Sequence, residues 1–528
     1  MELRTKILNA TDRLASGSIM AALLGASLGF GGAVWWSGLL VTGSAFALVI
    51  ATLTRLAFAG KLRLFKSPLT FLGLLALAIG IVQLVPLPAR LAAKLSPRAQ
   101  EVYGHGFMPE LALIDDPRLT VPEPAAVRSP ASLDRASTLR WLVVATACLA
   151  LFWGVGHYTD RMQRLYLVWG CVIAAFLLNA TIAIVQFSTR GDGLFGYMIP
   201  GSASWWAPSS DDLLNAPGSS VLRDVKDAPT PNFSGESRRS LRWAIEVPNR
   251  PHLLGTLMGG PGAFLALGSL AIPLAFAVLL HLVVPRGSRE GILERLTRSG
   301  HGGLAVLLTL LLATGSVLIG LAAGPWYSLT FALAILAVGL PCLAIPGARG
   351  TALGLSCMLR LLLGLGVGLG EAWPGVFGGA RPVVPPSWEL ARELWGDGLA
   401  IFRDFPMVGV GMGNFKSIHP YYKAEDANVS TAMSSLVQWA AESGIAGLAV
   451  LAAAFAWSIW RLWPSLKRVG SADRCLAYGL IGAALGFSLL SVVHWTTELT
   501  AVAVSASAIG GTWNRWLAGG TDLFVERG

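Results

Sequence analysis

Charge is what this chain has least of. Asp, Glu, Lys and Arg together make up 13% of its 528 residues, against about 25% in a soluble domain. The shortage excludes an ordinary soluble fold of this size. With 54% hydrophobic residues and a mean hydropathy of +0.61, the composition is that of a membrane protein. Cysteine is scarce too. Cys148, Cys171, Cys342, Cys357 and Cys475 all fall in apolar runs, which argues against a disulfide framework and offers no metal-type spacing. No metal and no cofactor is expected. A net charge of +10 would suit nucleic acid, but much of it sits in short links beside apolar runs, where basic residues set membrane topology. A nucleic-acid partner is therefore not expected.

What is present in quantity is long apolar sequence. A bilayer span needs about 20 apolar residues, and helices satisfy their own backbone hydrogen bonds in lipid. On that rule the chain is all-α and polytopic, with about twelve spans near 18–36, 38–59, 68–87, 138–158, 165–187, 258–284, 303–322, 327–346, 351–370, 433–460, 475–493 and 497–516. Arg4, Lys6 and Arg13 give the N-terminus the look of a signal-peptide n-region, but a second apolar run follows at once, so the first is read as a retained helix.

With both termini in the cytoplasm, the inner links hold Lys61, Arg63 and Lys66; Arg161 and Arg164; Arg286, Arg289, Arg295 and Arg298; Arg349; and Arg461, Lys467, Arg468 and Arg474. The short outer turns at 36–38, 323–327 and 494–497 hold no Lys or Arg, as the positive-inside rule requires. Three long loops, 88–137, 188–249 and 371–432, then lie outside, and their length marks them as functional. Their tryptophans (Trp205, Trp206, Trp243, Trp373, Trp388 and Trp395) fit either an interfacial belt or stacking against sugar rings.

Four constellations could carry chemistry. Asp404–Phe415 reads D-F-P-M-V-G-V-G-M-G-N-F and runs on to Lys416, His419 and Lys423. It lacks the strand and helix that a dinucleotide loop needs. Gly411 and Gly413 suit a tight structural turn, or a nest of free N–H groups that holds an anion. Arg242, Asn249, Arg250 and His252 cluster before the sixth span, where guanidinium groups either grip a phosphate or snorkel to headgroups. His494 and Glu498 flank the last outer turn as a polar cap or part of a site. Arg360 lies mid-run in the ninth span, which marks either a functional charge or a register nearer the inner surface.

Taken in order, these pieces resemble the bacterial O-antigen ligase and O-antigen polymerase family. Q-L-V-P-L-P at Gln83–Pro88 looks like the family's end of the third span, and S-L-D-R-A-S-T-L-R at Ser132–Arg140 its lead into the fourth. N-R-P-H-L-L-G at Asn249–Gly255 is similar to the family's N-R-N-H-F-A-G, with Arg242 seven residues upstream. Trp395–Phe415 is the most specific match, and Q-W-A-A-E-S-G-I-A-G-L at Gln438–Leu448 follows at the expected place.

The resemblance implies glycan transfer from an undecaprenyl-pyrophosphate carrier to a sugar hydroxyl, at the periplasmic face of the inner membrane, without metal or nucleotide sugar. It implies Arg242 as a pyrophosphate ligand; Asn249, Arg250, Gly411, Gly413, Lys416 and Lys423 are the candidate substrate contacts, and His419 or His252 the candidate substitutes for the family's base. The partners it implies are the bilayer, the lipid-linked glycan and polysaccharide assembly proteins. Two family positions differ. Ala323 stands where the family carries an arginine, and Met433 where it carries a histidine. A catalytically degenerate glycan- or carrier-binding partner is the alternative reading.

Overall fold

The computed structural model describes residues 2–29, 35–59, 67–86, 88, 96, 98, 130–189, 261–283, 301–345, 349–372, 388–422, 431–470, 473–494 and 500–518. Among them, all regular structure is helical: α1 (Glu2–Leu28), α2 (Trp35–Ala59), α3 (Pro68–Leu84), α4 (Arg135–Tyr158), α5 (Met162–Thr189), α6 (Pro261–Val283), α7 (Gly302–Cys342), α8 (Arg349–Ala372), α9 (Trp388–Asp404), α10 (Phe415–Ile418), α11 (Ser435–Lys467), α12 (Arg474–Val493) and α13 (Thr500–Leu517). Each expected apolar run falls on one of these helices.

Eight stretches among the described residues are long and apolar enough to cross a membrane, and Pro68–Leu84 and Ser328–Cys342 are shorter apolar helices. The outward faces are apolar: Phe71 is 65% exposed, Leu361 74% and Ile459 68%. A water-soluble bundle could not leave such side chains uncovered over most of its surface; a lipid-embedded one does. The chain is therefore a multi-pass membrane protein whose environment is a lipid bilayer. Trp460 and Trp463 lie under the Arg461 and Lys467 cations at 5.8 and 5.2 Å, a pairing suited to an interface.

α6 is apolar all round and is enclosed on every side from Ala263 to His281, as such a helix must be. It packs on α12, α7, α5 and α13. Gly479, Gly482 and Gly486 form a small-residue stripe on α12, which lets α6 and α7 approach closely.

At 41 residues, α7 would run about 60 Å if straight, twice a bilayer core. Instead it doubles back. Gly268 of α6 faces both Ile319 and Phe331; Ile272 meets Gly315, and Phe276 meets Gly339. The first half of α7 is thus antiparallel to α6 and the second half parallel. The reversal lies between Leu321 and Ser328, where the two apolar halves end and begin, at the expected turn 323–327.

The helix ends gather in two sets. One set joins Arg4 to the Phe58 carbonyl, Arg55 to Asp160, Ser67 to Asn514, His281 to Asp473, Cys342 to Cys475 and Ser465 to Leu517. The other joins Gly29 to Ser37, Ser132 to Gln83, Gln83 to Glu442 and Ser435 to His494. Successive helices therefore alternate in direction, counting α7 as two and setting aside α9 and α10. Of the helix ends that border the three long stretches, those of α3, α4 and α11 lie in the second set.

Some boundaries shift. α1 begins well before residue 18, with an exposed first turn in which Lys6 and Glu2 pair at 2.6 Å. α1 ends at Leu28 and α2 begins at Trp35, so 36–38 is helical rather than a turn, and Ser37 packs on Gly29. The 371–432 stretch has structure of its own in α9 and α10. Arg360 stays mid-helix in α8, and its Nε donates to the Ser356 carbonyl at 3.1 Å. The side chain thus leans toward the Arg349 end, as a snorkelling arginine does.

Candidate functional site

α9 is amphipathic and packs on α11, burying Leu394, Ile401 and Phe405. It ends at Asp404 because Pro406 and three glycines follow. Gly409, Gly411 and Gly413 have φ of +71°, +109° and +75°, a region that L side chains rarely enter. α11 breaks at Gly444, with φ 64° and ψ −159°, and the two irregular points lock together. A helix break leaves backbone groups unpaired on both sides. Past the break, the N–H groups of Ile445 and Ala446 donate to the Pro406 and Met407 carbonyls at 2.7 and 3.2 Å. Ahead of it, the Ala441 and Glu442 carbonyls accept from Val410 and Gly411 at 3.1 and 3.2 Å. A Cβ on Gly409 would lie 2.2 Å from the Glu442 carbonyl carbon, so only glycine fits there.

The Glu442 side chain is the centre of the turn. It is 5% exposed. Its carboxylate accepts from the Gly413 N–H at 2.8 Å, the Phe415 N–H at 3.1 Å and the Gln438 amide at 3.1 Å. No cation pairs with it among the described residues. Gln83, fully buried at the end of α3, completes the knot. Its Nε2 donates to the Val408 and Glu442 carbonyls at 2.6 and 2.9 Å, and its Oε1 accepts from Met412 N–H at 3.0 Å.

The lead into α4 joins the same knot. Asn414 Nδ2 donates to Ser132 Oγ and the Val410 carbonyl, and Thr138 donates to the Met412 carbonyl. Asp134 caps α4 by accepting from the N–H groups of Ala136 and Ser137. Burial alone would raise its pKa, but hydrogen bonds from Ser137, Ala136 and Ser417 hold it below the ordinary carboxylate value.

Four of the five family-like stretches, drawn from both halves of the chain, therefore meet in one polar cluster at the loop-bearing end. This geometry changes the reading of Gly411 and Gly413. Their N–H groups are already taken, by the Glu442 carbonyl and the Glu442 carboxylate, so they offer no free nest for an anion. Their contribution is the turn itself.

His419 follows on the short helical segment His419–Tyr421. Its Nε2 lies 3.1 Å from Asp397 Oδ2 on α9. The ring stacks on Phe415 at 5.3 Å and is 1% exposed. Nδ1 is buried with no partner among the described residues. This is a histidine oriented by a carboxylate, the arrangement that fixes a tautomer for proton transfer. Lys416 is exposed nearby in sequence. Tyr422 donates to Asp404 at 2.6 Å, and burial together with that bond pushes its phenol above the ordinary range.

Met433 is buried with φ 51°, and its carbonyl faces the Trp395 indole. Arg242, Asn249, Arg250, His252, Lys423 and Glu498 lie outside the described residues. Sequence reasoning missed Glu442, Gln83 and Asp397. Glu442 had a usable signal, a carboxylate inside an apolar run; Gln83 and Asp397 had none of that strength. Neither a protein-family model nor a curated protein matches this chain.

Proposed function

We propose that this chain is an O-antigen ligase- or polymerase-like protein of the bacterial inner membrane. In this reading twelve spans place both termini in the cytoplasm and the three long loops in the periplasm. The alternating helix directions and the basic residues of the inner links support that orientation. One observation carries the functional reading: stretches far apart in the chain, each similar to a family motif, converge on the Glu442 knot beside the exits of the long loops.

The reaction is attack of an acceptor sugar hydroxyl on the anomeric carbon of a glycan linked to undecaprenyl pyrophosphate. The new glycosidic C–O bond forms as the bond to pyrophosphate breaks, and the carrier leaves with the electron pair. Arg242 neutralises the leaving pyrophosphate. The hydroxyl proton passes to His419 Nδ1, with Asp397 holding Nε2, or to His252. The test is the surface glycan profile of a deletion strain complemented with wild type, Arg242→Ala or His419→Ala. Wild type restores glycan attachment or length, and the variants lower it at least tenfold. Restoration by both variants would defeat the site assignment.

A second reading is favoured by Met433, a thioether that cannot act as a base, and by the enclosure of His419. Here the chain binds lipid-linked glycan within a polysaccharide assembly complex without catalysing transfer. Complementation by a variant lacking Arg242, Arg250, His252 and His419 would select it over the enzyme.

A further inference from the structure

A groove of about 600 Å³ lies between α5, α6 and the first half of α7, far from the Glu442 knot. Its size falls in the range of small-ligand sites, about 300–1,000 Å³. Its walls are Ile173 and Leu177 on α5, Leu308 and Leu311 on α7, and Val278 on α6. The rim is open: Leu304 and Leu307 are 43% and 46% exposed, and a side chain added at Gly170 would meet nothing within 4 Å.

Polar groups occur only at one end. There Tyr166, His281, His301 and Asp473 surround the mouth, with His281 Nδ1 3.8 Å from Asp473 Oδ1. From His301 to Leu311 the helix rise gives a depth of about 15 Å, and from Met162 to Leu177 about 22 Å. Half a hydrocarbon core is about 15 Å. The groove is thus one leaflet deep, apolar along its length and polar at the membrane surface.

We infer that this groove holds an acyl chain of a glycerophospholipid from the leaflet at the Asp473 end, with a phosphoethanolamine-type headgroup at its mouth. The mouth combines one carboxylate with two imidazoles and a phenol. That set suits a headgroup carrying both an ammonium, for Asp473, and a phosphate, for His301 and Tyr166. The inference stands on residence in a bilayer and is independent of the glycan reading.

The test uses the full chain reconstituted with phosphatidylethanolamine that carries a photoreactive acyl chain, with adducts mapped by mass spectrometry. Adducts are expected on α5 and α7 groove residues. They should fall at least tenfold in Gly170→Phe/Ala174→Phe, which fills open space and should leave the unfolding midpoint in lipid-free detergent unchanged. Unlabelled phosphatidylethanolamine should compete with the probe in wild type at least fivefold better than phosphatidylglycerol, and Asp473→Asn should erase that preference. Adducts spread evenly over the outward helix faces would overturn the site. Better competition by phosphatidylglycerol would overturn the headgroup assignment. Both outcomes can be read in wild type even if the filled variant fails to fold.

Discussion

The two ends of α4 hold their polar groups by opposite means. Beyond its Tyr158 end, Asp12, Arg55, Asp160 and Arg164 form a closed ring. Arg164 reaches Asp12 at 2.6 Å and Asp160 at 2.5 Å, and Arg55 reaches Asp160 at 2.9 Å and Asp12 at 3.4 Å. Two cations meet two anions, so the ring is neutral. Every member but Arg164 keeps contact with solvent, at 24–38% side-chain exposure. At the other end Glu442 stands alone, held by main-chain N–H groups and amides. In the ring each charge has two partners, so the loss of one leaves another in place. Among the described residues the donors at Glu442 have no other acceptor, and the turn that aims the Gly413 N–H lies in a region that L side chains rarely enter. The loop-bearing end is therefore specified more narrowly than the ion-paired end, as a site on a rigid frame requires.

Five substitutions sharpen this contrast. Glu442→Ala should be the most damaging, because it orphans two buried donors and one half-buried donor at about 1–3 kcal/mol each. A loss of at least about 3 kcal/mol should be seen in denaturant unfolding in detergent, and Glu442→Gln, which keeps one acceptor oxygen, should fall between. A loss under about 1 kcal/mol for the alanine variant would mean that the lone carboxylate does not hold the turn. Gly409→Ala comes next, at about 2 kcal/mol or more, since its Cβ collides with Glu442 and its φ is positive. Gly396→Ala, in open space on α9, should act in the opposite sense and stabilise by up to about 1 kcal/mol. Arg164→Ala should cost about 1–2 kcal/mol, because Arg55 still holds both aspartates. Its effect should shrink in high salt and that of Glu442→Ala should not. Equal salt sensitivity at both ends would erase the distinction.

Much of the helical layout was legible in the sequence because lipid leaves few choices: a run of apolar residues must be a helix, and basic links orient it. Reading the 404–415 turn was harder. Its glycines signalled tight backbone, yet whether their N–H groups faced a ligand or the protein depended on Glu442, some thirty residues on, and on Gln83, more than three hundred residues back. Long-range pairing of that kind leaves no trace in local spacing. Glu442 itself was overlooked inside an apolar run, where a single carboxylate is costly without partners. The ion ring was hidden for the same reason: Arg164 read as a topology signal, Arg55 lay within the second apolar run, and only the fold brings them to Asp12 and Asp160.

The smallest predicted effect tests whether a carboxylate at the loop-bearing end can behave like those of the ring. Asp134 is half-exposed and caps α4. Its hydrogen bonds hold its pKa below the value of the unfolded chain. A folded pKa that is depressed contributes stability above the unfolded value, about 3.9, and that stability is lost as pH falls through the folded one. Asp134→Ala should cost about 1 kcal/mol at neutral pH, and the gap between variant and wild type should close on acidification below about pH 4. Asp134→Asn keeps an acceptor for the α4 N–H groups, so it should lose less at neutral pH, and its smaller gap to wild type should close or reverse over the same range. If wild type and Asp134→Ala instead keep the same separation down to pH 3, the cap acts through shape rather than charge, and the charge contrast between the two ends of α4 rests on Glu442 alone.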